Sequence, residues 1–238
     1  MSDALTILYE DNHCLVVSKP VPLLTQGVPP GILTLESMVK AYLKERYHKK
    51  GNVYLGIPHR LDRPVSGVVV FARNTKAARR LAEQFQTRQV RKLYWGAVER
   101  SPTGDIPDPE GEWEDWLLKV QEESRTERVG PETPGARHAV LGYRRLRESA
   151  DGALLEIEPR TGRMHQIRVQ AAARGWPVRG DMQYGSRLPF GPPAELPRDR
   201  VIALHARALT FLHPIRYEPL TLTAPLPAAW RDLFLDLA

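Results

Sequence analysis

The chain has 238 residues, of which 42% are hydrophobic, so it is long enough to form a substantial buried core in one large domain or two small ones. No apolar run approaches the roughly 18 residues of a membrane-spanning helix, and the start of the chain lacks the basic and apolar regions of a secretory signal. We therefore expect a cytoplasmic protein without a membrane partner. The single cysteine, Cys14, excludes a disulfide framework and a CxxC metal site. A net charge of +6 favours an acidic polymer as partner.

Short stretches rich in β-branched and aromatic residues predict strands along the chain. They cover residues 14–18, 67–72, 92–98, 138–146, 153–159 and 203–212. Between the second and third, Ala77, Leu81 and Phe85 recur at helical spacing, and Asn74 or Thr75 can cap the resulting amphipathic helix. Proline- and glycine-rich segments at 103–112, 129–136 and 187–199 are predicted loops. A further helix is expected over about 163–174, capped by Thr161, and another over 225–237. Strands outnumber helices, which predicts an α+β fold around a mostly antiparallel sheet.

Charge is segregated along the sequence. Residues 73–92 contain seven basic side chains and one acidic one, Glu83, whereas residues 105–127 contain nine acidic side chains. A basic stretch of this kind is typical either of a nucleic-acid contact or of a solvated helix face, and composition alone favours neither. The acidic part of the chain, taken as residues 105–135, is expected to be a loop that faces away from such a partner.

Several common catalytic signatures are missing. The sequence contains no GxxxxGK[ST] phosphate loop, no GxGxxG, no HExxH and no GxSxG, and its seven histidines lack metal-ligand spacing. These absences predict a protein without a metal or a nucleotide cofactor.

Two segments contain side chains that suit acid–base catalysis and the binding of anions. Asp62 lies between two arginines in HRLDRPVSG, and the later TGRMHQIRV places His165 and Arg168 three residues apart on one helix face. A positioned carboxylate can act as nucleophile or base, and a guanidinium from another element can hold its charge. Each residue taken alone has a plainer interpretation, since Asp beside proline is commonly a turn residue and a helical arginine is commonly a surface charge.

The order of motifs resembles the RluA-type pseudouridine synthases, which isomerise uridine to pseudouridine in RNA. The matching segments are LVVSKPVPLLTQG, HRLDRPVSG, KLYWGA, TGRMHQIRV and GDMQYG, and the resemblance runs from about residue 7 to residue 215. It implies the pseudouridine synthase fold, with a cleft across the sheet and no cofactor or metal. In its terms Asp62 is the catalytic aspartate, Arg168 its ion-pair partner and Tyr94 the ring that faces the target uracil.

The expected partner is a stem-loop of ribosomal or transfer RNA whose target nucleotide is flipped out of the helix. The resemblance implies that Arg60 fills the gap left by that nucleotide. The predicted RNA contacts are Arg60, Arg63, Lys76, Arg79, Arg80, Arg88, Lys92 and Arg163. We expect one catalytic domain over residues 1–238, without the N-terminal S4-like domain of some relatives, acting as a monomer.

The sequence departs from the family pattern at three positions. Val65 stands where threonine is usual, Met164 where threonine is frequent and Gln170 where histidine is frequent. Two other functions stay open at this stage. One is a catalytically inactive RNA-binding relative with the same cleft. The other is a glycosidic hydrolase, which needs a second carboxylate, and Asp181 is the only acid in the neighbouring motif.

Overall fold

A computed structural model describes residues 5–27, 31–121, 123–231 and 233. The described residues form ten strands and three α-helices. In chain order they are β1 Thr6–Glu10, β2 Cys14–Lys19, α1 Leu35–Arg46, β3 Ser66–Ala72, α2 Thr75–Gln86, β4 Arg91–Glu99, β5 Glu110–Val120, β6 Arg125–Val129, β7 Arg137–Ser149, β8 Gly152–Pro159, α3 Gln166–Ala172, β9 Leu204–Leu212 and β10 Pro219–Thr223. All six predicted strands are confirmed, whereas β1, β5, β6, β10 and α1 were not expected. No helix in the described ranges is long and apolar enough to cross a membrane.

The chain divides into two compact units, of which the first comprises Met1–Lys92 and Ala206–Ala228. Its strands follow the order β1-β2-β3-β9, with β10 beside β9, and the pairs β1–β2, β2–β3 and β9–β10 are antiparallel. Valines of β2 and β3 face each other directly, as in the pair Val16 and Val70. Alternate residues of these strands pack against the buried face of α2, which contributes Ala77 and Leu81 to the core.

Helix α2 forms where its periodicity predicts it. The Asn74 side chain accepts a hydrogen bond of 2.9 Å from the Ala77 N–H, so Asn74 rather than Thr75 is the N-cap. Just beyond the helix, Arg88 adopts a left-handed backbone with φ of 61°, in the place where helices usually have glycine. Lys76, Arg79 and Arg80 therefore lie on a capped helix.

The second unit comprises Leu93–His205 and Ala229–Ala238. Its strands follow the order β4-β8-β7-β5-β6, and every one of these neighbouring pairs is antiparallel. The predicted α+β class with a mainly antiparallel sheet is thus confirmed. The prediction that the acidic segment is a loop is wrong, because most of it forms the β5–β6 hairpin. Strand β5 pairs with β7, and this pairing satisfies the backbone hydrogen bonds of a segment whose composition did not predict a strand.

Helix α3 is shorter than the sequence predicts. It begins at Gln166, ends at Ala172, and is preceded by His165 in a left-handed conformation. Thr161 is not its cap, because the Thr161 hydroxyl lies 2.7 Å from Oε1 of Gln166 and its Oγ1 accepts the Val140 N–H. For the predicted C-terminal helix over 225–237, the structure has a 3-10 turn at Ala228–Trp230, while residues 232 and 234–238 lie outside the described residues.

Candidate active site

The turn that carries Asp62 is held through its main chain. Asp62 is half-buried, and its carbonyl accepts the Val65 N–H at 3.1 Å. Thr25 exchanges two bonds with Leu61, donating to its carbonyl at 2.9 Å and accepting from its N–H at 3.1 Å. The Leu23 N–H donates to the Arg63 carbonyl at 3.2 Å. The backbone is therefore fixed on both sides of Asp62.

A buried lysine completes this clamp. Lys19 is 1% exposed, and its Nζ donates to the carbonyls of Leu23 at 2.6 Å and of Pro20 and Arg63 at 3.2 Å. Burial lowers the pKa of Lys19 to about 7, and the negative charge of Asp62 acts in the opposite direction. In the sequence, Lys19 stands out only as part of the LVVSKPVPLLTQG motif. A lysine at the end of a strand that begins with four apolar residues was the signal that could have identified its role.

His59 and Gly67 fix the two ends of the Asp62 motif. The His59 ring is stacked on Phe85 with centroids 4.5 Å apart, and its Nε2 accepts the Val70 N–H at 3.0 Å. Burial lowers the pKa of His59 to about 3, with the charge of Lys92 adding to the effect, so the ring is neutral. Gly67 has φ of 121°, and a Cβ there would lie 2.2 Å from the Ala206 carbonyl oxygen. Only glycine fits this close approach of two strands.

Arg168 is buried in α3 and paired with an aspartate. Its Nε and Nη2 donate to the two carboxylate oxygens of Asp181 at 2.6 and 2.8 Å, and Nη2 also donates to Gln183 at 2.9 Å. The guanidinium lies 4.8 Å from the centroid of the Tyr184 ring. A bidentate contact combined with an aromatic face fixes the plane of the guanidinium. Asp181 is thus a partner of Arg168 that sequence reasoning missed, and the pairing with Asp62 stays a prediction.

A second buried carboxylate holds the loop that carries Asp181. Glu99, at the end of β4, is 2% exposed and accepts the N–H groups of Arg187 at 3.0 Å and Leu188 at 2.9 Å together with the Ser186 hydroxyl. Ser186 Oγ in turn accepts the Gly180 N–H at 2.9 Å. The GDMQYG motif is therefore closed into a turn by Glu99, which orients Asp181 and through it Arg168.

The β5–β6 hairpin contacts the same motifs. Tyr184 Oη accepts the Thr126 N–H at 2.9 Å and lies 2.8 Å from Nδ1 of His165. Gln183 donates to the Ser124 carbonyl at 3.0 Å. His165, which is not among the predicted catalytic residues, thus braces the GDMQYG turn.

Part of the hairpin's acidity has a structural use. Asp115 is buried and accepts from Gln170 Nε2 at 2.8 Å and from Arg174 at 2.7 Å, so it anchors α3. Gln170 is fully buried, and its Oε1 has no hydrogen-bond partner among the described residues. A buried carboxylate that binds the motif helix corrects the expectation that this whole segment faces away from the site.

The other predicted site residues are exposed or half-buried. Tyr94 pairs with Ile157 across β4 and β8 and is half-buried. Arg60, Lys76, Arg79 and Arg88 are exposed, whereas Arg63, Arg80, Lys92 and Arg163 are half-buried. Arg80 donates to the Pro214 carbonyl at 2.8 Å, and Arg163 donates to the His138 carbonyl at 2.9 Å.

Asp11, Cys14 and His213 bring three potential metal ligands together, but their atoms are engaged in hydrogen bonds. His213 Nδ1 accepts the N–H groups of Ile215 and Arg216, so Nε2 carries the proton and donates to Asp11 at 2.7 Å. Although burial opposes it, backbone N–H donors hold the pKa of Asp11 far below its usual value. Burial raises the pKa of the Cys14 thiol to about 12. This donor set fits a structural clamp rather than a metal.

Comparison with known proteins identifies the family. The profile described as RNA pseudouridylate synthase matches residues 13–173. The chain belongs to this family. The predicted RluA-type resemblance and the activity it implies, isomerisation of uridine to pseudouridine in RNA, are therefore confirmed.

Relatives match over nearly the whole chain. The chain is 35% identical to ribosomal large subunit pseudouridine synthase D of Xanthomonas campestris, covering 94% of this chain and 66% of that protein. It is 35% identical to an uncharacterized RNA pseudouridine synthase of Zymomonas mobilis, covering 95% and 96% respectively. Among solved structures, human RNA pseudouridylate synthase domain containing 4 superposes with a TM-score of 0.73 at 26% identity, covering 94% of this chain and 89% of that one.

Proposed function

We propose that Asp62 is the catalytic carboxylate of a pseudouridine synthase that acts on structured RNA. The reaction breaks the N-glycosidic bond, turns the uracil and bonds its C5 to the ribose, so water is not consumed. Asp62 acts in it as nucleophile or base. The observation that carries this proposal is the support of Asp62: the backbone on both sides of it is clamped by Lys19 and Thr25, yet the residue is only half-buried. A carboxylate on a fixed turn can be aimed at a substrate atom.

Arg168 is proposed to stabilise the charge of Asp62 during the reaction. The bidentate contact with Asp181 supports this role, because it fixes the orientation of the guanidinium before substrate arrives. Tyr94 is proposed to stack on the target uracil, with Arg60 filling the space that the flipped nucleotide vacates. Both roles come from the family motifs in which these residues stand.

The substrate is proposed to be a stem-loop of ribosomal or transfer RNA. Relatives named for ribosomal large subunit and for tRNA pseudouridine synthesis support both classes. The exposed Lys76, Arg79 and Arg88 would bind phosphates, which gives affinity but little sequence choice. We also propose that the enzyme works in the cytoplasm as a monomer without metal or cofactor, so a chelator should leave its rate unchanged.

The arrangement of Asp181 argues against a glycosidic hydrolase. Such an enzyme needs a second carboxylate beside the substrate, whereas both oxygens of Asp181 bind Arg168 and the residue is 2% exposed. An inactive RNA-binding relative has no observation in its favour.

The test is the Asp62→Asn variant, which keeps the shape of the side chain and removes its charge. We expect pseudouridine formation on total RNA, mapped by carbodiimide probing, to be abolished, while RNA affinity stays within about fivefold of wild type because the phosphate contacts remain. The matched control, Asp108→Asn, changes an exposed acid in the second unit and should retain full activity. Full activity of Asp62→Asn would refute the proposal, and release of free uracil would indicate the hydrolase.

A further inference from the structure

The turn between β9 and β10 presents an exposed aromatic ring. Tyr217 is 57% exposed, and its backbone lies in the left-handed region with φ of 61°. This conformation suits glycine and strains a bulky side chain. A strained residue whose ring faces solvent contributes little to the core, so its position calls for another explanation.

The turn beneath Tyr217 is rigid. His213 is fully buried, its Nδ1 accepts the N–H groups of Ile215 at 3.2 Å and Arg216 at 2.9 Å, and its carbonyl accepts the Tyr217 N–H at 2.9 Å. Its Nε2 donates to Asp11 at 2.7 Å. The strained conformation is therefore held by several bonds, which gives the ring a fixed orientation.

Helix α2 supports the same turn and places one guanidinium against it. Gln84 exchanges two hydrogen bonds with Leu212, at 2.9 and 2.8 Å. Arg80 donates to the Pro214 carbonyl, and its guanidinium lies 4.9 Å from the centroid of the Tyr217 ring. Lys76 lies one helical turn before Arg80 and, like Arg79, is exposed. Neither has an ion-pair partner in the part of the chain that the structure describes.

We propose that Tyr217, backed by Arg80, is a stacking platform for an unpaired base of the RNA, separate from the residues that carry out the isomerisation. Aromatic rings bind bases of single-stranded RNA face to face, and neighbouring basic groups hold the backbone. The Arg80 guanidinium against the ring and the exposed Lys76 and Arg79 on the same helix favour RNA over a protein partner. The inference rests on the proposed function, because it takes RNA as the ligand.

The decisive variant is Tyr217→Gly, which removes the ring and relieves the backbone strain. With a labelled single-stranded RNA of about 12 nucleotides, we expect affinity to fall about 5- to 50-fold at fixed salt, from the loss of one stacked base. The midpoint of thermal unfolding should stay unchanged or rise, because glycine suits the turn. The matched control is Tyr217→Phe, which keeps the ring face and should bind like wild type.

The salt dependence of binding separates stacking from charge. Lys76→Ala should lower the slope of log affinity against log salt by about 1, whereas Tyr217→Gly should leave it unchanged. If Tyr217→Gly bound RNA as tightly as wild type, the stacking platform would be refuted; this result is expected if the partner is a protein. Equal losses of RNA affinity for Tyr217→Gly and Tyr217→Phe would refute it as well. RNA affinity is measured independently of pseudouridine formation. If the protein formed no pseudouridine but Tyr217→Gly still lost RNA affinity as expected, only the proposed function would be refuted.

Discussion

The turn around Asp62 and the segment around Arg168 are supported in different ways. In the first unit the supporting bonds reach the main chain beside Asp62, from Thr25, Leu23 and Lys19. In the second unit they reach the Arg168 side chain itself, from Asp181 and Gln183. A carboxylate that must approach a reacting atom is aimed by its backbone, whereas a guanidinium that supplies charge is oriented directly. The two regions should therefore respond differently to substitution.

The largest effect is expected for Asp181→Asn, which breaks the buried ion pair. An uncompensated Arg168 should lower the free energy of unfolding by about 3–5 kcal/mol, measured by urea denaturation at pH 7. Activity should fall as well. The control is a double variant, Arg168→Met with Asp181→Leu, which should recover most of the stability and none of the activity. Recovery of activity in the double variant would show that the pair is structural only.

An intermediate effect is expected for Thr25→Val, which keeps the side-chain shape and removes both bonds to Leu61. Because the Leu61 N–H and carbonyl are then buried without these partners, the free energy of unfolding should fall by about 1–3 kcal/mol. Because the Asp62 turn loosens, kcat for pseudouridine formation should fall with KM unchanged. Thr87→Val, which removes an exposed hydroxyl bond to the Glu83 carbonyl, is the control and should change neither quantity. An unchanged kcat for Thr25→Val would contradict main-chain positioning.

The smallest effect is the change in stability between pH 6.5 and pH 5.5 that His59 causes. The pKa of His59 is about 3 in the folded protein, below its unfolded value of roughly 6.5, so only the unfolded chain binds the proton between these values. The stability that the neutral, buried His59 ring contributes is therefore complete above pH 6.5. It decreases as pH falls toward 3, by up to about 1.4 kcal/mol per pH unit. The difference in unfolding free energy between His59→Gln and wild type should therefore shrink on acidification. A constant difference from pH 6.5 to 5.5 would show that His59 titrates normally.

Local patterns were sufficient for some elements and not for others. The spacing of Ala77, Leu81 and Phe85 with the Asn74 cap predicted α2, because a helix is determined largely within its own residues. Helix α1 was missed although Thr34 and Ser37 form a capping box, since its apolar face is poorly separated from its polar one. The β5–β6 hairpin was missed because acidic residues and nearby prolines obscure a strand whose partner, β7, lies later in the chain.

The candidate site shows the same division. Ordered motifs in the sequence determined the family, the reaction and the identity of Asp62, Arg168 and Tyr94 as the residues to examine. Only the tertiary structure gave the supporting groups, Lys19 beneath the Asp62 turn and Asp181 against Arg168. The reason is physical: hydrogen bonds and ion pairs depend on distances of about 3 Å between groups far apart in sequence, and such distances exist only once the chain has folded.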